Sequence, residues 1–137
     1  AGPSTSSSPG ANFLIGPANW YSGPNPDDLW KEDGTGVNNP CPAGFRVPTE
    51  TEWNTERLSW DSQTTAGAYA SPLKLPLAST RNYTNGNMWY AGFGFYWSST
   101  VDGDDARRLT LGKTSSSLAV FRSDARADGF SVRCLKD

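Results

Sequence analysis

The sequence predicts an α+β domain with two short helices followed by a mostly antiparallel sheet. Two observations carry that class. Behind Pro48, the string Thr49-Glu50-Thr51-Glu52 is a capping box. In it a Thr and a Glu three residues later satisfy each other's free backbone amides, so a helix starts there. From Leu73 onward, short apolar runs are divided by Asn-Gly, Gly and Asp-Gly turns, the pattern of strands joined by hairpins. Helices first and strands afterwards is the α+β order rather than the alternating one.

Along the chain, residues 1–10 (AGPSTSSSPG) are too poor in apolar surface to order themselves and read as a flexible tail or linker. Residues 11–137 are expected to form one domain, as a length of 137 suggests. The apolar run 12–15 is expected to start a strand, and Pro17, Pro24 and Pro26 then break any regular element. Residues 27–31 allow one helical turn, and 33–42 are a turn-rich loop. Trp53, Leu58 and Trp60 are expected to form the apolar side of the capped helix. Residues 61–70 predict a second, weaker helix stopped by Pro72. The strands are expected at 95–98, 107–111, 118–121 and 130–135. In the last, Phe130, Val132 and Cys134 alternate with Ser131, Arg133 and Leu135 and should face the core.

Composition closes most catalytic routes. There is no histidine, which removes Ser-His-Asp and Cys-His triads, histidine zinc sites and an imidazole pH switch. Two cysteines are too few for a thiolate zinc cluster. With 12 basic against 14 acidic residues there is no excess of positive charge for a nucleic acid backbone. No apolar stretch approaches the roughly 20 residues needed to span a bilayer, so no membrane insertion is expected. Glu52 and Glu56 share a helix face, but Glu52 is occupied by the cap and neither has an apolar pocket around it. A structural role outweighs acid–base chemistry there. The reading is of a protein that is not an enzyme and needs no cofactor. Asp102-Gly103-Asp104-Asp105 resembles a calcium loop. However, the twelfth position, where an EF-hand places its bidentate Glu, is Lys113. A polar hairpin turn is the plainer reading, with a calcium site of another kind left open.

The six Trp, five Tyr and six Phe are what the chain has in excess. Trp89, Tyr90, Phe93, Phe95, Tyr96 and Trp97 crowd one stretch. Strand alternation sends Phe95 and Trp97 to one face and Tyr96 to the other. A single-sided core cannot bury them all, and outward aromatics mark a binding patch. Cys41 and Cys134 lie 93 positions apart, and a bridge over that span is worth roughly 4–5 kcal/mol by chain entropy. Two inert thiols or one reactive thiol are the alternatives. Neither cysteine lies in a CxxC pair or beside a helix start with basic company, which favours the bridge.

Four strings, LWKEDGTGVNNPCPAGFRVPTETEW, SPLKLPLASTRNYTNG, FYWSSTVDG and RADGFSVRCLKD, give the chain a family resemblance from about residue 19 to the end. It resembles the Fibrobacter-succinogenes-type major paralogous domain and the variable proteins of diversity-generating retroelements in bacteria, phages and archaeal viruses. The resemblance implies a C-type-lectin-like fold, in which the N- and C-terminal strands lie close together and a Cys41–Cys134 bridge would be natural. It also implies that Asn codons are rewritten at template adenines, which cannot yield Gln, Glu, Lys, Met or Trp. Residues 115–125 (SSSLAVFRSDA) contain none of those five and no Asn, as a scrambled Asn tract would, whereas Met88 and Trp89 fall outside the pattern. Formylglycine-generating enzymes carry a string similar to RVPTETEW, but their chemistry needs a catalytic cysteine pair. With both cysteines assigned to structure, the fold carries over and the activity does not.

The expectation is therefore a ligand-binding, receptor-recognition module with a hypervariable surface on a stable scaffold, displayed on a virion or at a cell surface. Its partner would be a protein or glycan. The alternative is a carbohydrate-binding lectin-like domain of fixed specificity. The expected contact residues are Trp89, Tyr90 and Phe93 on a loop, Asp104 in a turn, and Arg107, Arg108 and Thr110 on a strand. Ser115, Ser117, Leu118, Val120, Phe121, Arg122, Ser123, Asp124 and Ala125 complete the set on the last hairpin, with aromatics supplying area and Arg or Asp orientation.

Overall fold

The computed structural model describes residues 13–137; the expected tail and Asn12 lie outside them. The leading segment is irregular, with a single 3-10 turn at Pro26–Asp28. Residues 13–15 form no strand, contrary to the sequence expectation. Pro17 cannot donate to a ladder, and the chain turns at Gly16, whose amide donates to the Tyr83 carbonyl at 3.0 Å.

Strand β1 (Phe45–Arg46) leads into helix α1 (Glu50–Leu58). The capping box is present. Thr49 Oγ1 accepts from the Glu52 amide at 3.1 Å, and the Thr49 amide donates to Glu52 Oε2 at 2.8 Å. Arg46 grips the same carboxylate with both terminal nitrogens, at 2.7 and 2.6 Å. This pairing, aided by the cap amide, holds the Glu52 carboxyl down at about 2. Glu56 is also structural, accepting from Trp60 Nε1 at 2.9 Å. Trp53 is buried, and its Nε1 donates to the Trp97 carbonyl at 3.1 Å, tying helix to sheet. Leu58, expected beside it, is exposed, because five residues past Trp53 lies well round the helix.

Helix α2 (Thr65–Ala70) is shorter than its predicted span of 61–70. Thr64 caps it, accepting from the Gly67 amide, and residues 61–63 bend into that cap. The chain is so tight here that a Cβ at Gly67 would lie 1.8 Å from the Ser62 carbonyl oxygen. Strands β2 (Thr80–Arg81) and β3 (Met88–Trp89) pair as a short antiparallel ladder.

The main sheet runs β4 (Gly94–Asp102), β5 (Asp105–Leu111) and β6 (Val120–Ala125), all antiparallel. The Asp102–Asp105 string is a hairpin turn, with Gly103 at a φ of 61° that favours glycine. Residues 130–135 do not form the strand expected of them. Ser131 makes a single parallel bridge to Tyr96, and the chain then leaves the sheet for β7 (Leu135–Lys136), which pairs with β1. Val132 is consequently exposed rather than in the core. Cys134 is bonded to Cys41, their Cα atoms 5.8 Å apart, beside the β1–β7 ladder.

The core lies on one face of the main sheet. Tyr96, Leu109 and Phe121 stand opposite one another in register on β4, β5 and β6. With Leu111, Tyr96 and Leu109 close against Trp53, Trp60, Ala68, Leu75 and Ala119, and Phe121 packs at the edge of that cluster. Burial pushes the Tyr96 phenol up to about 12, and its hydroxyl donates to the Pro76 carbonyl at 2.6 Å. The result is an α+β domain of two helices and mostly antiparallel sheet.

Candidate functional site

The other face of the main sheet carries a different cast, as strand alternation requires. Phe95, Thr110 and Val120 stand in register there, as do Trp97, Arg108 and Arg122. At the centre is Arg108, only 6% exposed. Its guanidinium lies 3.9 Å from the centroid of the Phe95 ring and 5.2 Å from that of Phe130. It donates to the Asp124 carboxylate and to the Thr110 hydroxyl. A buried cation is tolerable when a carboxylate, a hydroxyl and aromatic faces replace its water. Phe130 packs on Phe95 edge-on at 5.1 Å and on Trp97 at 4.3 Å.

Above Arg108 opens a groove of about 360 Å³. That volume falls within the usual range for ligand pockets, about 300–1,000 Å³. Its lining includes the aromatics Tyr83, Trp89 and Tyr90 and the carboxylates Asp105, Asp124 and Asp128, with Ala125. Trp89 and Tyr90 are 51% and 44% exposed, with ring centroids 4.5 Å apart, and Tyr90 leans on Phe95 at 5.4 Å. Tyr90 holds a φ of 48°, a strained setting that places the ring at the rim. Burial raises the Asp128 carboxyl above its ordinary value, and the charges of Asp124 and Asp105 push it the same way. Its bond from the Tyr83 amide, 3.0 Å, and Arg108 oppose them.

Of the residues expected at a contact surface, Trp89, Tyr90, Ser123, Asp124 and Ala125 converge on this groove from separate parts of the chain, and Arg108 lines its floor as a buried rather than a displayed residue. Phe93 supports it from behind, 5.7 Å from Tyr90. Arg122 is exposed beside it and Val120 is half-buried on the same sheet face. The remainder fall elsewhere. Thr110 is buried, not displayed, accepting from the Arg108 guanidinium that covers the rings. Arg107 points to the helix side, paired with Glu50 and donating to Ser123 Oγ at 2.9 Å. Phe121 also faces the helices, with Arg57 5.9 Å from its ring centroid. Ser115, Ser117 and Leu118 are held against the start of α2, where their carbonyls or bridge meet Ala66, Thr65 and Thr64. Asp104 is exposed in the hairpin turn.

Tyr83, Asp105, Asp128 and Phe130 line the groove but were not expected there. Asp128 and Phe130 sit in the RADGFSVRC string, which reads as frame, and Tyr83 has no local signal. Among the described residues no group of three or more His, Cys, Asp or Glu is placed to hold a metal ion. Among them, too, no helix is long and apolar enough to cross a membrane. Comparison of the chain with protein-family models, with curated proteins and with solved structures found no match to any of them.

Proposed function

We propose that the chain is a ligand-binding module whose contact face is the groove above Arg108. The observation that carries this reading is the convergence of an exposed Trp89–Tyr90 platform with Asp124, Ala125 and Ser123 around one cavity. Aromatic area with a few oriented charged groups is how binding faces gain affinity without losing specificity. The chain lacks histidine, the commonest general base, which favours binding over catalysis.

The family reading is that of a variable protein of a diversity-generating retroelement on a C-type-lectin-like scaffold, displayed on a virion or cell surface. Support comes from the make-up of residues 115–125 and from the pairing of the last strand with one near the Cys41 loop. Sequencing the parent locus tests it. The expected finding is a reverse transcriptase beside a near-identical copy of the 3′ end in which adenines mark codons within 115–125. A locus with neither would overturn diversification and leave a domain of fixed specificity.

A second reading, a carbohydrate-binding domain, is favoured by the stacked Trp89 and Tyr90, since indole and phenol faces suit sugar rings. Panels of glycans and of surface proteins presented to the wild-type chain and to Trp89→Ala separate the two. The groove is the contact face if the substitution removes binding while the melting transition stays in place. Retained binding would place the contact elsewhere.

A further inference from the structure

The groove above Arg108 is unbalanced in charge. Three carboxylates line it, Asp105, Asp124 and Asp128, against a single lining cation, Arg108. Arg108 is already paired with Asp124 and donates to the Thr110 hydroxyl. Among the described residues, Asp105 and Asp128 form no ion pair. Arg122, exposed beside the groove, lies outside its lining and pairs with none of the three. Each of the three carboxylate residues is only half-buried, so each keeps surface open to solvent. The Asp128 carboxyl is raised, by burial first and then by the charges of Asp124 and Asp105, so an entering cation relieves repulsion already present.

The second feature is aromatic and independent of the charge. The cavity, about 360 Å³, is of ligand size, and Trp89 and Tyr90 hold half-exposed rings in its lining. Carboxylates favour any cation, and ring faces select among cations. A guanidinium is planar and weakly hydrated, and it stacks on aromatic rings while its fork donates to carboxylates. An ammonium is a compact, strongly hydrated point charge. The groove already holds one guanidinium in this way. Arg108 lies 3.9 Å from the Phe95 ring centroid and donates to Asp124. Trp89 and Tyr90 with Asp105 and Asp128 repeat the same pairing of ring and carboxylate, without a cation between them. Trp, Tyr and Arg are also the residues that dominate protein–protein hot spots, which makes a protein the source of the group.

We infer that the groove takes an arginine side chain presented by a partner protein. The guanidinium stacks on the Trp89–Tyr90 platform and donates to Asp105 and Asp128, beside the Arg108–Asp124 pair. This rests on the groove being the contact face and adds the chemistry of the group that enters it.

The test uses the intact chain, isotopically labelled, with the Trp89 indole resonance identified through Trp89→Phe. Three end-blocked tripeptides are titrated, glycine–X–glycine with arginine, lysine or citrulline at X. The arginine peptide should shift that resonance saturably in the millimolar range. Citrulline keeps the shape of the side chain and loses its charge, and should bind about tenfold more weakly, with lysine between the two. Asp105→Asn and Asp128→Asn should each weaken the arginine peptide about threefold and leave the citrulline peptide unchanged. The inference is overturned by no saturable shift, by citrulline binding as tightly as arginine, or by lysine binding as tightly or more so. The citrulline comparison changes only the ligand, so it stands whatever the variants do to folding. Failure here is distinct from failure of the groove. A panel ligand lost on Trp89→Ala yet indifferent to Asp105→Asn and Asp128→Asn together keeps the contact face and overturns the arginine. A ligand retained by Trp89→Ala displaces the face itself.

Discussion

The two faces of the β4–β6 sheet are cut from the same strands and are finished in opposite ways. On the helix side, Leu109 and Leu111 are fully buried and Tyr96 nearly so, closed under Trp53, Ala68 and Leu75. On the other side, one residue along each strand, the chain buries an arginine on phenylalanine rings. It leaves a groove beside it rimmed by exposed aromatics and carboxylates. The first face owes its stability to apolar area and close packing, and the second to a charge held by specific partners. The difference teaches where side chains are free to change. Alternation assigns adjacent residues to folding or to contact, so neighbours in one strand should answer mutation differently.

The largest effect should come from the helix face. Leu109→Ala opens a cavity in the middle of the core, and its cost is expected at about 3–5 kcal/mol in equilibrium unfolding. A loss under about 1 kcal/mol would mean that this face is not the core. Arg108→Ala tests the opposite face. It strands the Asp124 carboxylate beside Asp128 and Asp105 and removes the cover from Phe95, at an expected cost of about 2–4 kcal/mol. Arg108→Met, which restores apolar cover without the charge, should recover part of that loss, as denaturant midpoints would show.

Phe121 and Arg122 sharpen the comparison, because they are adjacent in β6. Sequence alone treats both as contact residues, so that alanine at either would change stability by under about 1 kcal/mol. The register separates them: Phe121 faces Leu109, and Arg122 faces outward above Arg108. Phe121→Ala should cost about 1–3 kcal/mol, discounted because the ring is only partly buried, and Arg122→Ala under about 0.5 kcal/mol. Equal costs, measured by thermal unfolding, would break the two-face description.

The same case shows what was legible in the sequence. The Thr49–Glu52 cap, the Gly103 turn and strands β4 and β5 carry local signals, whereas the strand expected at 118–121 lies at Val120–Ala125; the disulfide followed from the lack of any other role for two cysteines. The α+β class rests on those. Residues 118–123 hide their alternation, since Leu118, Ala119, Val120 and Phe121 are all apolar, so only the β5 register tells inward from outward. The groove depends on Asp128 and Tyr83, 45 residues apart, meeting through a bond from the Tyr83 amide to the Asp128 carboxylate, and no local pattern announces such a contact. The lost strand at 130–135 has a similar origin. Its alternation is real, but the Cys41–Cys134 bond and the β1–β7 pair draw the chain off the sheet after Ser131.

The two faces also differ in how they respond to pH. Glu52, on the helix side, has its folded carboxyl lowered to about 2 by Arg46, so it adds stability above its ordinary value. That contribution fades as pH falls from about 4.5 toward 2, and Glu52→Gln should flatten this acid limb. The expected change is about 1–2 kcal/mol, allowing for solvent screening of a partly exposed pair. Asp128, in the groove, has the opposite sign. Its carboxyl is raised, so its relative contribution is complete below its ordinary value and is lost as pH rises through the folded one. Asp128→Asn keeps an acceptor for the Tyr83 amide and removes a charge from beside Asp124 and Asp105. It should therefore raise the melting temperature slightly at neutral pH and leave it unchanged in acid. A variant less stable at neutral pH would show that Arg108 outweighs burial at that position and that the groove favours the ionised carboxylate.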